Sequence, residues 1–222
     1  MANTGKKVGV VLSGCGFLDG AEIQEAALTL LALDRAGAQA LALAPDVEQM
    51  HVIDHAHGKP STGEKRNVLA ESARIVRGKI EDIARVYEKD FDALVFVGGF
   101  GAAKNLSSFA VDGTQMRVNP EVERLIRETF RARKPMGFIC ISPVIAAKVL
   151  GDHRPHLTVG NDRETAAAIR GLGGVHVERK VDEIEVDKAN KLVSTPAYML
   201  GPSIAPVAAG IEKLVAALLE LA

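Results

Sequence analysis

Three apolar runs constrain this chain more than any other feature, because each ends in a turn of small residues and leads into a helical pattern. They are KVGVVL at 7–12, DALVFV at 92–97 and MGFI at 136–139. A run that is apolar on both faces needs cover on both sides. Strands of this kind alternating with helices give a parallel sheet between two helical layers. A further run, AQALALA at 38–44, follows a helical pattern over 20–36 that Gly37 stops. The apolar periodicity also predicts helices over 67–76, 120–133, 141–150 and 204–221. Residues 184–187 and 191–194 flank Lys188-Ala-Asn190 as a hairpin, and the polar stretch 50–66 predicts a strand or hairpin with an exposed loop. Asp19, with Glu22 three residues on, predicts an N-cap pair at the head of the first helix. The expected fold is α/β: a mostly parallel sheet with helices on both faces, forming one domain over 1–222 without repeat or linker.

Composition removes most other classes. With 222 residues, 47% of them hydrophobic, the chain can bury a core without staples. A net charge of −1 supplies no global field to recruit nucleic acid or an acidic membrane surface. Aromatics at 4% are too few to build a stacking platform for single strands. No apolar run approaches the roughly 18 residues of a membrane span, and residues 1–7 lead into the first strand without the apolar stretch of a secretory signal. Two cysteines cannot make a disulfide framework; they point to a reducing compartment, and the expectation is a cytoplasmic protein.

Open parallel sheets bind ligands beyond the carboxyl ends of their strands. Three segments fall there: 13–20, 98–105 and 140–143. Cys140 stands where the run 136–139 hands over to a helix, at a turn that exposes a nucleophile near a helix N-terminus, where dipole and amides favour a thiolate. It reads equally as a small buried hydrophobe. Nucleophile elbows carry small residues two positions to either side, whereas here stand Phe138 and Ser142. Gly98 and Gly99 let the backbone approach a ligand, with the Gly99 and Ile141 amides as an oxyanion pair, or else they form a tight turn. The loop Ser13-Gly14-Cys15-Gly16…Gly20 departs from the dinucleotide fingerprint in spacing, and Asp19, Glu22 and Glu25 load its exit with charge that repels a pyrophosphate. Cys15, Glu22 and Asn105 are the remaining pocket candidates. Helical periodicity puts Glu22 and Glu25 on a solvated face. His51, His55 and His57 read as a polar loop rather than a metal cluster, and nothing in the spacing places His153 or His156 as a base.

Taken together and in this order, VVLSGCGFLDGAEIQE, GGFGAAKNLSSFA and GFICISP resemble the ThiJ/PfpI superfamily of class-I glutamine-amidotransferase-like proteins. More narrowly they are similar to its ElbB-type branch, associated by name with isoprenoid biosynthesis. The likeness continues through TPAYM and the last helix. It implies a flavodoxin-like three-layer sandwich and a homodimer without cofactor or metal. It also implies Cys140 as nucleophile, Glu25 as acid/base, and the Gly99 and Ile141 amides as oxyanion donors beside Gly98. The chain departs from the superfamily at a frequent downstream histidine, whose place falls near Gly160, and it lacks the His-x-Glu pair of glutamine amidotransferases. A thiol with one carboxyl group suits a glyoxalase-type conversion of a small reactive aldehyde such as methylglyoxal to its 2-hydroxy acid. Amide hydrolysis asks for a further base. The alternatives are a non-catalytic binding or regulatory protein, and a cysteine-dependent hydrolase or glutaminase.

Overall fold

The computed structural model describes residues 5–222. In chain order the first half comprises β1 (Lys7–Val11), α1 (Ile23–Arg35), β2 (Gln39–Ala44), β3 (Ile53–Asp54), β4 (Lys59–Pro60), α2 (Val68–Ile75), β5 (Glu81–Asp82), β6 (Ala93–Phe96), α3 (Phe100–Lys104) and α4 (Phe109–Asp112). The second half comprises α5 (Pro120–Arg131), β7 (Met136–Ile139), α6 (Pro143–Leu150), β8 (His156–Leu157), α7 (Arg163–Gly171), β9 (Val175–His176), β10 (Glu185–Asp187), β11 (Leu192–Thr195) and α8 (Ile204–Leu221).

Seven strands form the central sheet in the order β10-β11-β7-β6-β1-β2-β5. Every neighbouring pair is parallel except β10 with β11, the predicted hairpin. Residues alternate between two buried faces, as strand geometry dictates. Val8, Val10, Val95 and Val97 pack with α1 and α8, while Val11, Leu94 and Phe96 pack with α5 and α6. Phe96 and Phe138, register partners on β6 and β7, stack with ring centroids 5.0 Å apart.

The chain winds from β1 outward through β2 to β5, then returns to β6 and winds the other way. The order therefore reverses between β1 and β6, and the crevice at a topological switch point is where open α/β sheets hold ligands.

The structure alters several details. Glu22, not Asp19, caps α1: its side chain accepts the Glu25 N–H. Asp19 is buried and accepts the Ile53 N–H at 2.7 Å instead, pinning the 50–66 excursion to the loop after β1. That excursion holds the small β3–β4 hairpin. His57 there faces Asp54, and among the described residues no group of His, Cys, Asp and Glu could hold a metal ion. Helix α7 carries no apolar periodicity in the sequence, because its buried stripe is only Thr165, Ala166 and Ile169. Among the described residues no helix is long and apolar enough to cross a membrane. The reading of residues 1–7 falls partly on 1–4, which lie outside the described residues.

Candidate functional site

Cys140 follows β7 directly and adopts φ 62°, a left-handed conformation uncommon for a residue with a side chain. Its N–H donates to Thr195 O at 3.0 Å, so the turn hangs from β11. Ser142, one of the two residues that departed from the elbow pattern, holds the turn closed. Its buried hydroxyl accepts the Ile139 N–H at 2.8 Å and lies within hydrogen-bond distance of Ile139 O and Phe96 O. Ser142→Ala strands these groups away from water and is expected to lower unfolding stability by about 1–3 kcal/mol in urea titrations. An unchanged midpoint would show that the turn does not depend on the hydroxyl.

Glu25 sits opposite, in the first turn of α1, with no solvent exposure. The helix buries Glu25, Ala26, Thr29, Ala32 and Leu33 and leaves Ile23 and Leu31 largely exposed. The expectation of a solvated Glu25 therefore fails. The large side chains suggested one inward stripe, and the smaller residues of the adjacent face pack inward instead. One carboxyl oxygen, Oε1, accepts the Tyr198 N–H at 3.2 Å. The other, Oε2, is buried without a hydrogen bond of good geometry, and the Cys140 thiol and the Gly98 N–H both face the carboxyl. Gly98 lies between the two: a Cβ there would overlap Oε2 and the Cys140 Cβ and stand 3.0 Å from Sγ.

Electrostatics in this pair run against a resting thiolate. Burial, above all, lifts the Glu25 carboxyl from its ordinary 4.5 to about 8, with the Glu22 charge adding to the rise. Hydrogen bonding from Tyr198 N–H opposes it. Burial and then the Glu25 charge hold the Cys140 thiol well above its usual value, against the lowering effect of the Gly99 and Ile141 amides. The expected lowering by a helix terminus is thus outweighed by desolvation. What remains is a thiol facing a carboxyl group that gains and loses its proton close to neutrality.

The pair opens into a cavity of about 460 Å³. Glu22, Gly99, Cys140 and Ile141 all line it; Glu25 and Gly98 lie behind the thiol. Gly99 has φ 93°, and its neighbour Gly101 donates to Gly20 O at 2.8 Å, so the 98–101 turn is stitched to the loop after β1. Two pocket candidates are not among the lining residues. Asn105 instead binds loops together, donating to Ser13 O and Asp19 O and accepting from Met50 N–H. Cys15 lies toward Glu71 and Arg74, and burial raises its pKa. His153 packs on Phe130 and His156 lies beside Glu185 and Asp187, so neither reaches the cavity. Sequence reasoning missed the walls supplied by Phe17, Phe100, Phe109, Tyr198 and Met199, and by Asp162 and Glu164 of the α7 head. Their positions depend on where loops fold back, which no local pattern carries.

Comparison with known proteins places this geometry. No protein-family profile matches the chain. It is 51% identical over 224 residues to the human glutamine amidotransferase-like class 1 domain-containing protein 3, mitochondrial, with 97% of this chain and 83% of that protein covered. It is 38% identical over 208 residues to the mitochondrial ES1 protein of Danio rerio, with 86% and 76% covered. Among solved structures, the isoprenoid biosynthesis protein with amidotransferase-like domain from Ehrlichia chaffeensis superposes with a TM-score of 0.90 at 37% identity, covering 97% of this chain and 99% of that one. A DJ-1 superfamily protein of Salmonella typhimurium, at 23% identity and TM-score 0.57 with 97% and 91% covered, shares the fold. The expectation of a cytoplasmic protein is overturned by relatives named as mitochondrial in human, rat and zebrafish. Two unpaired cysteines report a reducing environment and do not distinguish one such compartment from another. The flavodoxin-like sandwich and these relatives agree: the chain shares its fold with DJ-1-type proteins and belongs to the class-1 glutamine amidotransferase-like family, on its ES1/ElbB-type branch.

Proposed function

We propose that the protein is a cofactor-independent glyoxalase-type enzyme that converts methylglyoxal or glyoxal to the 2-hydroxy acid. The observation that carries this reading is the buried Glu25 carboxyl facing the Cys140 thiol at a cavity with no histidine among the described residues that line it. Cys140 Sγ adds to the aldehyde carbon, and the thiol proton passes by way of Glu25 to the carbonyl oxygen, giving a hemithioacetal. Glu25 then takes the hydrogen of that carbon as a proton while the neighbouring ketone oxygen gains a proton, giving an enediol. The adjacent carbon is then protonated from Glu25 as the hydroxyl on the sulfur-bearing carbon releases its proton, leaving a thioester of the 2-hydroxy acid. Water cleaves the thioester, releasing lactate and restoring the thiol. A carboxyl group near 8 suits both directions of transfer at neutral pH. The Gly99 and Ile141 amides, which face the sulfur, hold the developing oxyanion in this reading.

This reading accounts for the chain better than a glutaminase, since His153 and His156 stand elsewhere and no histidine is among the described residues that line the cavity. The test is incubation with methylglyoxal free of metal and glutathione. Lactate from the wild type, reduced about a thousandfold or more in Cys140→Ser, is the expected result. A wild type with an alkylatable Cys140 and no turnover would overturn the proposal. Cys140-dependent release of ammonia from glutamine would put the hydrolase in its place.

A further inference from the structure

We infer that the cavity selects carbonyl compounds whose far end carries an alkylammonium group and turns away those bearing carboxylate or phosphate. The inference rests on Cys140 as the cavity nucleophile and extends that reading to the rest of the substrate.

Three carboxyl groups, Glu22, Asp162 and Glu164, line the cavity, and none of the described residues lining it is Lys, Arg or His. Helix α7 presents its N-terminus here, which would ordinarily invite an anion. That end is already satisfied: the Asp162 side chain accepts the Thr165 N–H at 2.8 Å, and Glu164 occupies the first turn. Two cations adjoin wall residues without being among those that line the cavity: Lys104, which lies 5.4 Å over the Phe100 ring and donates to Leu18 O at 2.7 Å, and Arg163, between Asp162 and Glu164 in sequence. Phe17, Phe100 and Phe109 supply aromatic surface, and aromatic faces with nearby carboxylates recognise alkylammonium groups. A second feature marks the place as a binding site: the fully buried Glu25 Oε2, without a hydrogen bond of good geometry, faces the nucleophile that borders the cavity. The inner end thus takes a carbonyl oxygen on backbone amides, and the outer part favours positive charge.

Charged thiosulfonates read this field without any turnover. In a Cys15→Ser background, Cys140 is labelled by aminoethyl, hydroxyethyl or sulfonatoethyl methanethiosulfonate. The thiolate attacks the sulfenyl sulfur, a protein disulfide forms, methanesulfinate leaves, and the thiol proton goes to solvent. The ratio of cationic to anionic rate, divided by the same ratio for N-acetylcysteine amide, is expected to be about tenfold or more at low salt. High salt is expected to shrink it, as is the double variant Asp162→Asn/Glu164→Gln, in which Asn keeps the helix cap. A normalised ratio within twofold of unity, faster anionic labelling, or a Cys140 that none of the three reagents reaches would overturn the inference. Charge preference without methylglyoxal turnover would leave this inference standing and remove the glyoxalase reading. Turnover without charge preference would do the reverse.

Discussion

Glu25→Gln is expected to make the protein more stable at neutral pH while removing most of its turnover. Folding raises this carboxyl from 4.5 to about 8. Between those values the unfolded chain has released the proton and the folded chain retains it, so wild-type stability falls as pH rises through that window. Below pH 4.5 both states hold the proton and the effect vanishes; above about 8 both have lost it and the curve levels. At about 1.4 kcal/mol per pH unit, the wild type has lost about 3 kcal/mol by pH 7 that a neutral amide retains. Gln can still accept the Tyr198 N–H, and its amide can face the thiol. Unfolding in urea at pH 4.5, 6 and 8 should therefore show variant and wild type diverging with pH, the variant ahead. Parallel curves would mean that Glu25 is ionised in the folded protein. Turnover should fall about 10²- to 10⁴-fold. The Cys140 thiol, relieved of the carboxyl that helps to raise it, should meanwhile alkylate at lower pH than in the wild type.

That divergence explains why the fold was legible in the sequence and half of the site was not. Strands β1, β6 and β7 are apolar on both faces, a property each run carries within itself, and the sheet between two helical layers follows from it. Cys140, Gly98 and Gly99 announce themselves because they end such strands. Glu25 does not. Its burial depends on α1 turning Ala26, Thr29 and Leu33 inward rather than Ile23 and Leu31, a choice made by the packing of α1 against the sheet and α8. Only the family resemblance pointed to it. Tyr198, Asp162 and Glu164 reach the cavity from α7 and the turn after β11, distant in sequence and joined only by tertiary folding. Ser142 shows the opposite case, a residue that broke the expected small-residue pattern and proves to close the elbow itself.

Gly98→Ala is expected to cost about 2–3 kcal/mol of stability and most of the activity, through a single cause. Gly98 does not adopt a left-handed φ, so alanine meets no backbone penalty there; at Gly99, with φ 93°, it would. The added methyl would overlap the Cys140 Cβ and Glu25 Oε2, forcing apart the two groups on which the proposed proton transfers depend. Cys140→Gly removes the first obstruction and opens space into which the Glu25 carboxyl can move. It suits φ 62° better than cysteine does but gives up a buried side chain, so alone it is expected to leave stability within about 1 kcal/mol of the wild type. In the double variant Gly98→Ala/Cys140→Gly most of the lost stability should return, a coupling well above the few tenths of a kcal/mol seen for independent sites. Additive losses in urea titrations would place the origin of the Gly98 requirement elsewhere. Recovery would show that the glycine is kept for the contact between thiol and carboxyl, because no other residue leaves room for both.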